Sequence, residues 1–258
     1  MQSGEGRLDT MLTEFFGYVI DPDRGVRLFH WTHYMHIAFA LIAIYVPLRF
    51  AEAIYRSPYE ARVRHIAFIW LIVLEIIYHA HNWAAGEWSF PLHICSFAVI
   101  MCLGLLKTNS QRIFEFVFFF GVLGGFMALF VPFSYGFPYT NIRFYHFILI
   151  HMTIIMIPLY YYKAYGFRVT LRATYKTFVM VLLVAPVIYN INRLLSRFSQ
   201  TSNINYWFIS DIPEHVTAIF GDNYLIYIAV LLSLIYIAQM ILYRVSNRVE
   251  RRQDHVES

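Results

Sequence analysis

Charge is scarce in this chain of 258 residues: 14% are Asp, Glu, Lys or Arg, against 59% hydrophobic. A soluble domain of this length carries far more charge, so the membrane sets the architecture. Cysteine is nearly absent, with only Cys95 and Cys102. They sit on one expected helix, roughly 10 Å apart along its axis and beyond disulfide reach, which excludes a disulfide scaffold. The opening MQSGEGRLDT lacks a basic stretch running directly into an apolar core, so no cleavable signal peptide is expected. The net charge of +4 is modest. Its basic residues sit in short loops and the C-terminal tail, which fits membrane topology and speaks against nucleic-acid binding. No internal repeat or low-complexity linker divides the chain.

What is abundant is apolar length. A spanning helix needs about 20 mostly apolar residues. Seven segments meet or approach that: His30–Phe50, His65–Trp83, Pro91–Leu106, Ile113–Phe133, Phe144–Tyr162, Tyr175–Leu195 and Tyr224–Tyr243. The third is short, with Ser89 or Phe90 expected to cap it ahead of Pro91. The expected fold is an all-α integral membrane protein, a bundle of seven transmembrane helices.

Loop charge orients it. Arg49, Arg56, Arg62 and Arg64 follow the first span, Lys107 and Arg112 the third, Lys163, Arg168, Arg172 and Lys176 the fifth, and Arg244, Arg248, Arg251 and Arg252 the last. The alternate loops are poorer in cations. The rule that cationic loops stay inside puts the N-terminus outside and the C-terminus in the cytoplasm. Residues 1–29 then form an extracytoplasmic segment with a short interfacial helix near Met11–Ile20. Residues 30–243 form the transmembrane domain, and residues 244–258 a cytoplasmic basic tail. The outer loop Ser199–Asn223 is rich in interfacial aromatics and reads either as a plain loop or as a lid, with a short helix starting near Asp211 or Ile212.

Nine of the eleven histidines lie in or beside the spans, and the threading brings eight of them to the outer side. They share it with Glu75, Cys95, Asn190 and Arg193. Ionisable groups in hydrocarbon are costly and usually face a protein interior or a wet cavity, so the cluster marks a chamber open to one leaflet. His30, His33, His65 and His81 read as interface anchors; Glu75, Cys95 and His151 lie deeper. Glu75 and His79, four residues apart, share a helix face and can hydrogen-bond. His93 lies roughly 200° around the helix from Cys95 and is a poor partner for it. His146 and His151 lie roughly 140° apart, so only one faces a given site.

Several chemistries suit these residues. A thiol with a histidine from the fifth span, His146 or His151, makes a pair for acyl transfer through a thioester. Arg193 could hold a lipid phosphate and Asn190 a developing oxyanion. Against this, a lone membrane cysteine is usually a small core residue. Alternatively, His36, His79, His93, His146 and His151 could supply zinc ligands for a hydrolase, although no tight spacing motif supports that. Two facing histidines could also ligate haem, with no pattern in favour. A solute transporter would be built on broken helices, for which Gly121, Gly124, Gly125, Pro132 and Pro186 are candidates.

The stretches PLHICSFAVI (Pro91–Ile100), FYHFILIH (Phe144–His151) and NYWFISDIP (Asn205–Pro213), followed by FGDNYLIYI, together with Asn190, resemble the bacterial YwaF family. That family is similar to the eukaryotic transmembrane-protein-164 acyltransferases. The resemblance runs from about residue 30 to 240. It implies a cysteine-dependent phospholipid acyltransferase or acyl hydrolase at the plasma membrane, acting on phospholipid and lysolipid without metal or cofactor. By position the nucleophile is Cys95 and the base His151, with His146 as the alternative. Glu75 and His79 would support the site from behind. Asn190, Arg193, His93 and His36 would contact substrate. Fold does not fix function, so a non-enzymatic transporter or lipid-binding protein stays open, as does the zinc hydrolase. Oligomeric state is open.

Overall fold

A computed structural model describes residues 4–21, 23–87, 89–131, 136–198 and 204–254. The regular structure among these residues is helical throughout. α1 (Gly4–Phe16) precedes α2 (Trp31–Arg49), the short α3 (Ala51–Tyr55), α4 (Glu60–Ala84), α5 (Ile94–Thr108), α6 (Gln111–Phe130) and α7 (Ile142–Ala164). α8 (Leu171–Phe198), a 3-10 turn at Tyr206–Phe208, α9 (Glu214–Phe220) and α10 (Tyr224–Asp254) complete the chain.

Six described helices are long and apolar enough to cross a membrane: α2, α4, α6, α7, α8 and α10. The seventh expected span, α5, is different. It has 15 residues and starts at Ile94, because Pro91–His93 form a turn and His93, not Ser89 or Phe90, stands at its N-cap. At 1.5 Å per residue it is about 22 Å long, short of the ~30 Å hydrocarbon core. The chain is a multi-pass, membrane-embedded helical protein, with α5 filling the space between longer helices.

α6 and α7 form the central pair. α2 packs on both, α4 and α5 complete one side, and α8 and α10 pack against α6. Close approach explains part of the glycine pattern. A Cβ at Gly121 would collide with the Ile154 carbonyl, and one at Gly125 with Ile155. α6 is continuous through Gly121, Gly124 and Gly125, and α8 through Pro186, so these residues do not break their spans. The core runs through Leu71, Val99, Cys102, Phe114, Val117, Ile154 and Tyr161. Phe39, Ile42, Leu225, Leu234 and Ile241 are exposed on the outer faces, as lipid contact requires.

Several expected boundaries move. The N-terminal helix ends at Phe16 rather than Ile20. α10 continues as helix through Asp254, into the expected tail. α9 starts at Glu214 with Pro213 as its cap, two or three residues later than expected. Pro132 and Phe133 of the fourth expected span, residues 199–203 of the outer loop and residues 255–258 of the tail lie outside the described residues.

Successive apolar helices alternate in direction, which sorts the buried polar residues between two ends. At one end meet the starts of α2, α5 and α7 and the ends of α4, α6 and α8. This is the histidine end. At the other, Glu60, Arg64, Tyr161 and Tyr165 gather. The N-terminal segment joins the histidine end, where Asn141 Nδ2 donates to the carbonyls of Glu14 (2.8 Å) and Gly17 (2.7 Å). The far part of α10 lies at the tyrosine end, where Tyr162 Oη donates to the Ser246 carbonyl over 2.6 Å.

Candidate functional site

The start of α5 supplies the thiol. The turn at Pro91–His93 puts Cys95 at the second helical position rather than a full turn in. First-turn N–H groups have no carbonyl one turn back, so they point their donors and the positive end of the helix dipole toward this region.

α7 supplies the imidazole. His151 Nε2 lies 3.2 Å from Cys95 Sγ. Its Nδ1 lies 2.6 Å from the Phe147 carbonyl. A carbonyl only accepts, so Nδ1 carries the hydrogen and the Nε2 lone pair faces the thiol. The ring also packs against Phe147, centroids 4.4 Å apart.

His146 turns elsewhere. Its Nε2 donates to the Leu74 carbonyl of α4 over 2.9 Å, and its ring stacks on Tyr78 at 5.7 Å. The separation of the two histidines around α7 is realised: one faces α5, the other α4.

Glu75 and His79 form the expected pair, Oε1 to Nε2 at 3.3 Å. His79 Nδ1 reaches Ser89 Oγ at 2.9 Å, and Asn82 Nδ2 donates to the same oxygen at 3.1 Å. Arg143 Nη1 donates to Asn82 Oδ1 at 2.8 Å, while its guanidinium lies over the Tyr78 and Phe137 rings at 4.4 and 5.0 Å. This chain ties α4 to the segment before α5 and to the start of α7. Sequence reasoning missed Ser89, Asn82 and Arg143. A buried arginine beginning an apolar helix is the signal that could have found the last of these.

The other expected substrate residues separate. Asn190 and Arg193 are exposed on α8, and Asn190 Nδ2 donates to the Pro186 carbonyl of its own helix at 2.8 Å. The inward residue is Asn192, fully buried, which donates to the Tyr206 carbonyl (2.9 Å) and Ser210 Oγ (2.8 Å) and accepts from Tyr206 N (3.1 Å). His93 packs edge-on against Tyr206 at 4.7 Å. His36 is buried between Phe144 and Phe147.

The aromatic loop is folded into the bundle. Trp207 Nε1 donates to the Leu92 carbonyl at 2.8 Å, and Phe90 N donates to Tyr206 Oη at 3.0 Å. Trp207 and Phe208 both have positive φ, 64° and 56°. This backbone costs energy for bulky residues and persists only where surrounding contacts impose it. Here they are the Leu92 contact and Tyr227 Oη, which donates to the Phe208 carbonyl at 2.7 Å.

His33 acts as a tie: Nδ1 accepts from Phe29 N (3.3 Å) and Nε2 donates to the Leu129 carbonyl at the end of α6 (3.3 Å). His30 and His65 are exposed. His81 stacks with Tyr18 at 5.5 Å. Among the described residues, no three His, Cys, Asp or Glu side chains converge as metal ligands, so the zinc arrangement has no counterpart there.

A family model matches residues 28–243, from the start of α2 through most of α10. The chain belongs to the TMEM164 family. The match takes in the thiol, the imidazole and the folded-in loop. It bears out the resemblance to that family, while the bacterial YwaF name gains no support of its own. No curated protein and no solved structure matches the chain.

Proposed function

We propose that this TMEM164-family protein is a membrane lipid acyltransferase or acyl hydrolase working through a thioester on Cys95. The observation that carries this reading is the 3.2 Å approach of His151 Nε2 to Cys95 Sγ, with Nδ1 held by Phe147. His151 takes the thiol proton as sulfur attacks the acyl carbonyl of a phospholipid, then returns it to the leaving lysolipid oxygen. The first-turn N–H groups of α5 face the developing oxyanion, a role for which Asn190 is poorly placed because its amide is engaged on its own helix. Glu75, His79, Ser89 and Arg143 hold the approach to α5 in place. Lysolipid or water then releases the acyl group. The histidine end faces the outer leaflet of the plasma membrane, as loop charge argues, and exposed Arg193 meets headgroups at its rim.

The continuous course of α6 and α8 through their glycines and proline weighs against a transporter built on broken helices. The test is covalent. Purified protein incubated with phospholipid gains one acyl mass by intact mass spectrometry. The adduct is lost in Cys95→Ser and released by hydroxylamine. Absence of an adduct across several phospholipids overturns the thioester.

A further inference from the structure

His36 is 2% exposed and, among the described residues, neither of its ring nitrogens has a hydrogen-bond partner. Leaving a buried polar group unpaired is costly, and each such group in a folded protein calls for an explanation. Its neighbour one turn earlier, His33, has both nitrogens engaged. His81 shares the vacancy but stacks on Tyr18 of the N-terminal segment, whereas His36 lies beside Phe147. The ring stands edge-on to Phe147, centroids 5.7 Å apart, and Phe147 packs against His151 at 4.4 Å. His36 and His151 therefore flank one aromatic ring, on helices α2 and α7, which pack together.

His151 has one nitrogen for proton exchange, because the other is tied to Phe147. An acceptor that resolves the thioester must give its proton to that nitrogen and needs a second polar contact to be oriented. A neutral imidazole offers one N–H and one lone pair on different edges. Carbonyls and anions answer only the N–H. A hydroxyl donates its one hydrogen to one partner while accepting from another, so a single acceptor hydroxyl can give its proton to His151 Nε2 and accept from the His36 N–H.

We propose, building on the Cys95 thioester, that His36 anchors a hydroxyl of the acyl acceptor and so directs the acyl group to an alcohol rather than to water. In this step the acceptor O–H breaks and its proton passes to His151 Nε2. The oxygen bonds the acyl carbon, the C–S bond breaks, and the thiolate recovers the proton from His151. His36 binds and orients, and neither gains nor loses a proton.

Two measurements test this. Acylated protein is isolated and chased with lysophosphatidylcholine, and ester product is counted against free fatty acid. In His36→Phe, which suits the aromatic surroundings, the transfer-to-hydrolysis ratio falls about 10- to 100-fold, the loss expected for a buried hydrogen bond to substrate. His36→Asn, which keeps a donor and an acceptor, restores part of it. An unchanged ratio in His36→Phe, or no recovery in His36→Asn, overturns the assignment. The second arm needs no chemistry. In a Cys95→Ala background in nanodiscs, lysophosphatidylcholine and its hydroxyl-methylated analogue are compared for binding. The free-hydroxyl lipid binds about 10-fold tighter, and His36→Phe abolishes that preference. Equal binding of the two lipids, or a preference that survives His36→Phe, overturns the subsite even where the thioester stands. A missing acyl adduct with an intact preference overturns the thioester alone.

Discussion

At one end of the bundle the buried polar groups are mainly histidines; at the other they are tyrosines, and the two sets are wired differently. The tyrosine end is largely paired, although Thr177 Oγ1 and Gln239 Oε1 on that side have no partner among the described residues. Glu60 Oε1 accepts from Arg64 Nε (2.7 Å) and Tyr165 Oη (2.6 Å), and Arg64 Nη1 donates to the Leu106 carbonyl (2.6 Å). Tyr161 Oη donates to Asn109 Oδ1 (2.6 Å), and Lys163 Nζ to the Leu48 carbonyl (2.9 Å). These bonds occupy terminal carbonyls of α5 and α2, where cations and a left-handed Asn109 (φ 50°) are favourable. The histidine end is more open: a thiol faces an imidazole lone pair, and the rings of His36 and His81 have no hydrogen-bond partner among the described residues. A closed network holds helices together. An open one leaves bonding capacity for something else.

The largest break in this comparison comes from Cys95→Ala, which lowers lipid acyl turnover by about 10³-fold or more. Cys102→Ala, seven residues along the same helix in the dry core, leaves turnover near wild type. A phospholipid turnover assay on both variants checks this. Next comes the histidine pair on α7. His151→Ala costs about 10²- to 10⁴-fold in turnover, the range for a general base. His146→Ala removes the bond to Leu74 and lowers stability by about 1–3 kcal/mol, with a much smaller kinetic effect. Equal kinetic losses would erase the distinction between the two faces of α7.

At the tyrosine end, Glu60→Ala leaves Arg64, Tyr165 and Tyr160, whose Oη lies 3.5 Å from the same carboxylate oxygen, without their shared acceptor. It lowers stability by about 2 kcal/mol in thermal unfolding while turnover of the surviving protein stays near wild type. A comparable loss of turnover would show that the ends are coupled.

The smallest effect belongs to the N-terminal segment. The Thr140 hydroxyl, and then Arg24 at 2.6 Å, hold the Glu14 carboxyl below its ordinary value of 4.5. A depressed carboxylate contributes stability above that ordinary value and loses it as pH falls through its own lower one. Docking of residues 9–21 therefore weakens below about pH 4.5. Hydrogen exchange across α1 measures this, and Glu14→Gln removes the pH dependence.

Much of the histidine end was legible early. Alternating spans carried Glu75, His79, Cys95 and His151 to one side, and the i,i+4 relation paired Glu75 with His79. The choice between asparagines was not legible. Asn190 and Asn192 are separated by roughly 200° on α8, and only packing shows which one faces inward. The start of α5 was misjudged for a related reason. Pro91 suits a first helical turn, but contacts from Trp207 and Tyr206 hold the Phe90–Leu92 segment in a turn.

The sequence by itself determined that the chain enters a membrane, which helices bear polar groups and at which end they collect. Those facts follow from hydrophobic length and charge, which are local. Tertiary structure decided which imidazole meets the thiol, that α5 starts next to Cys95, and that His36 has no partner among the described residues. Each depends on the rotation of one helix against another, and that is set by packing of side chains distant in the chain.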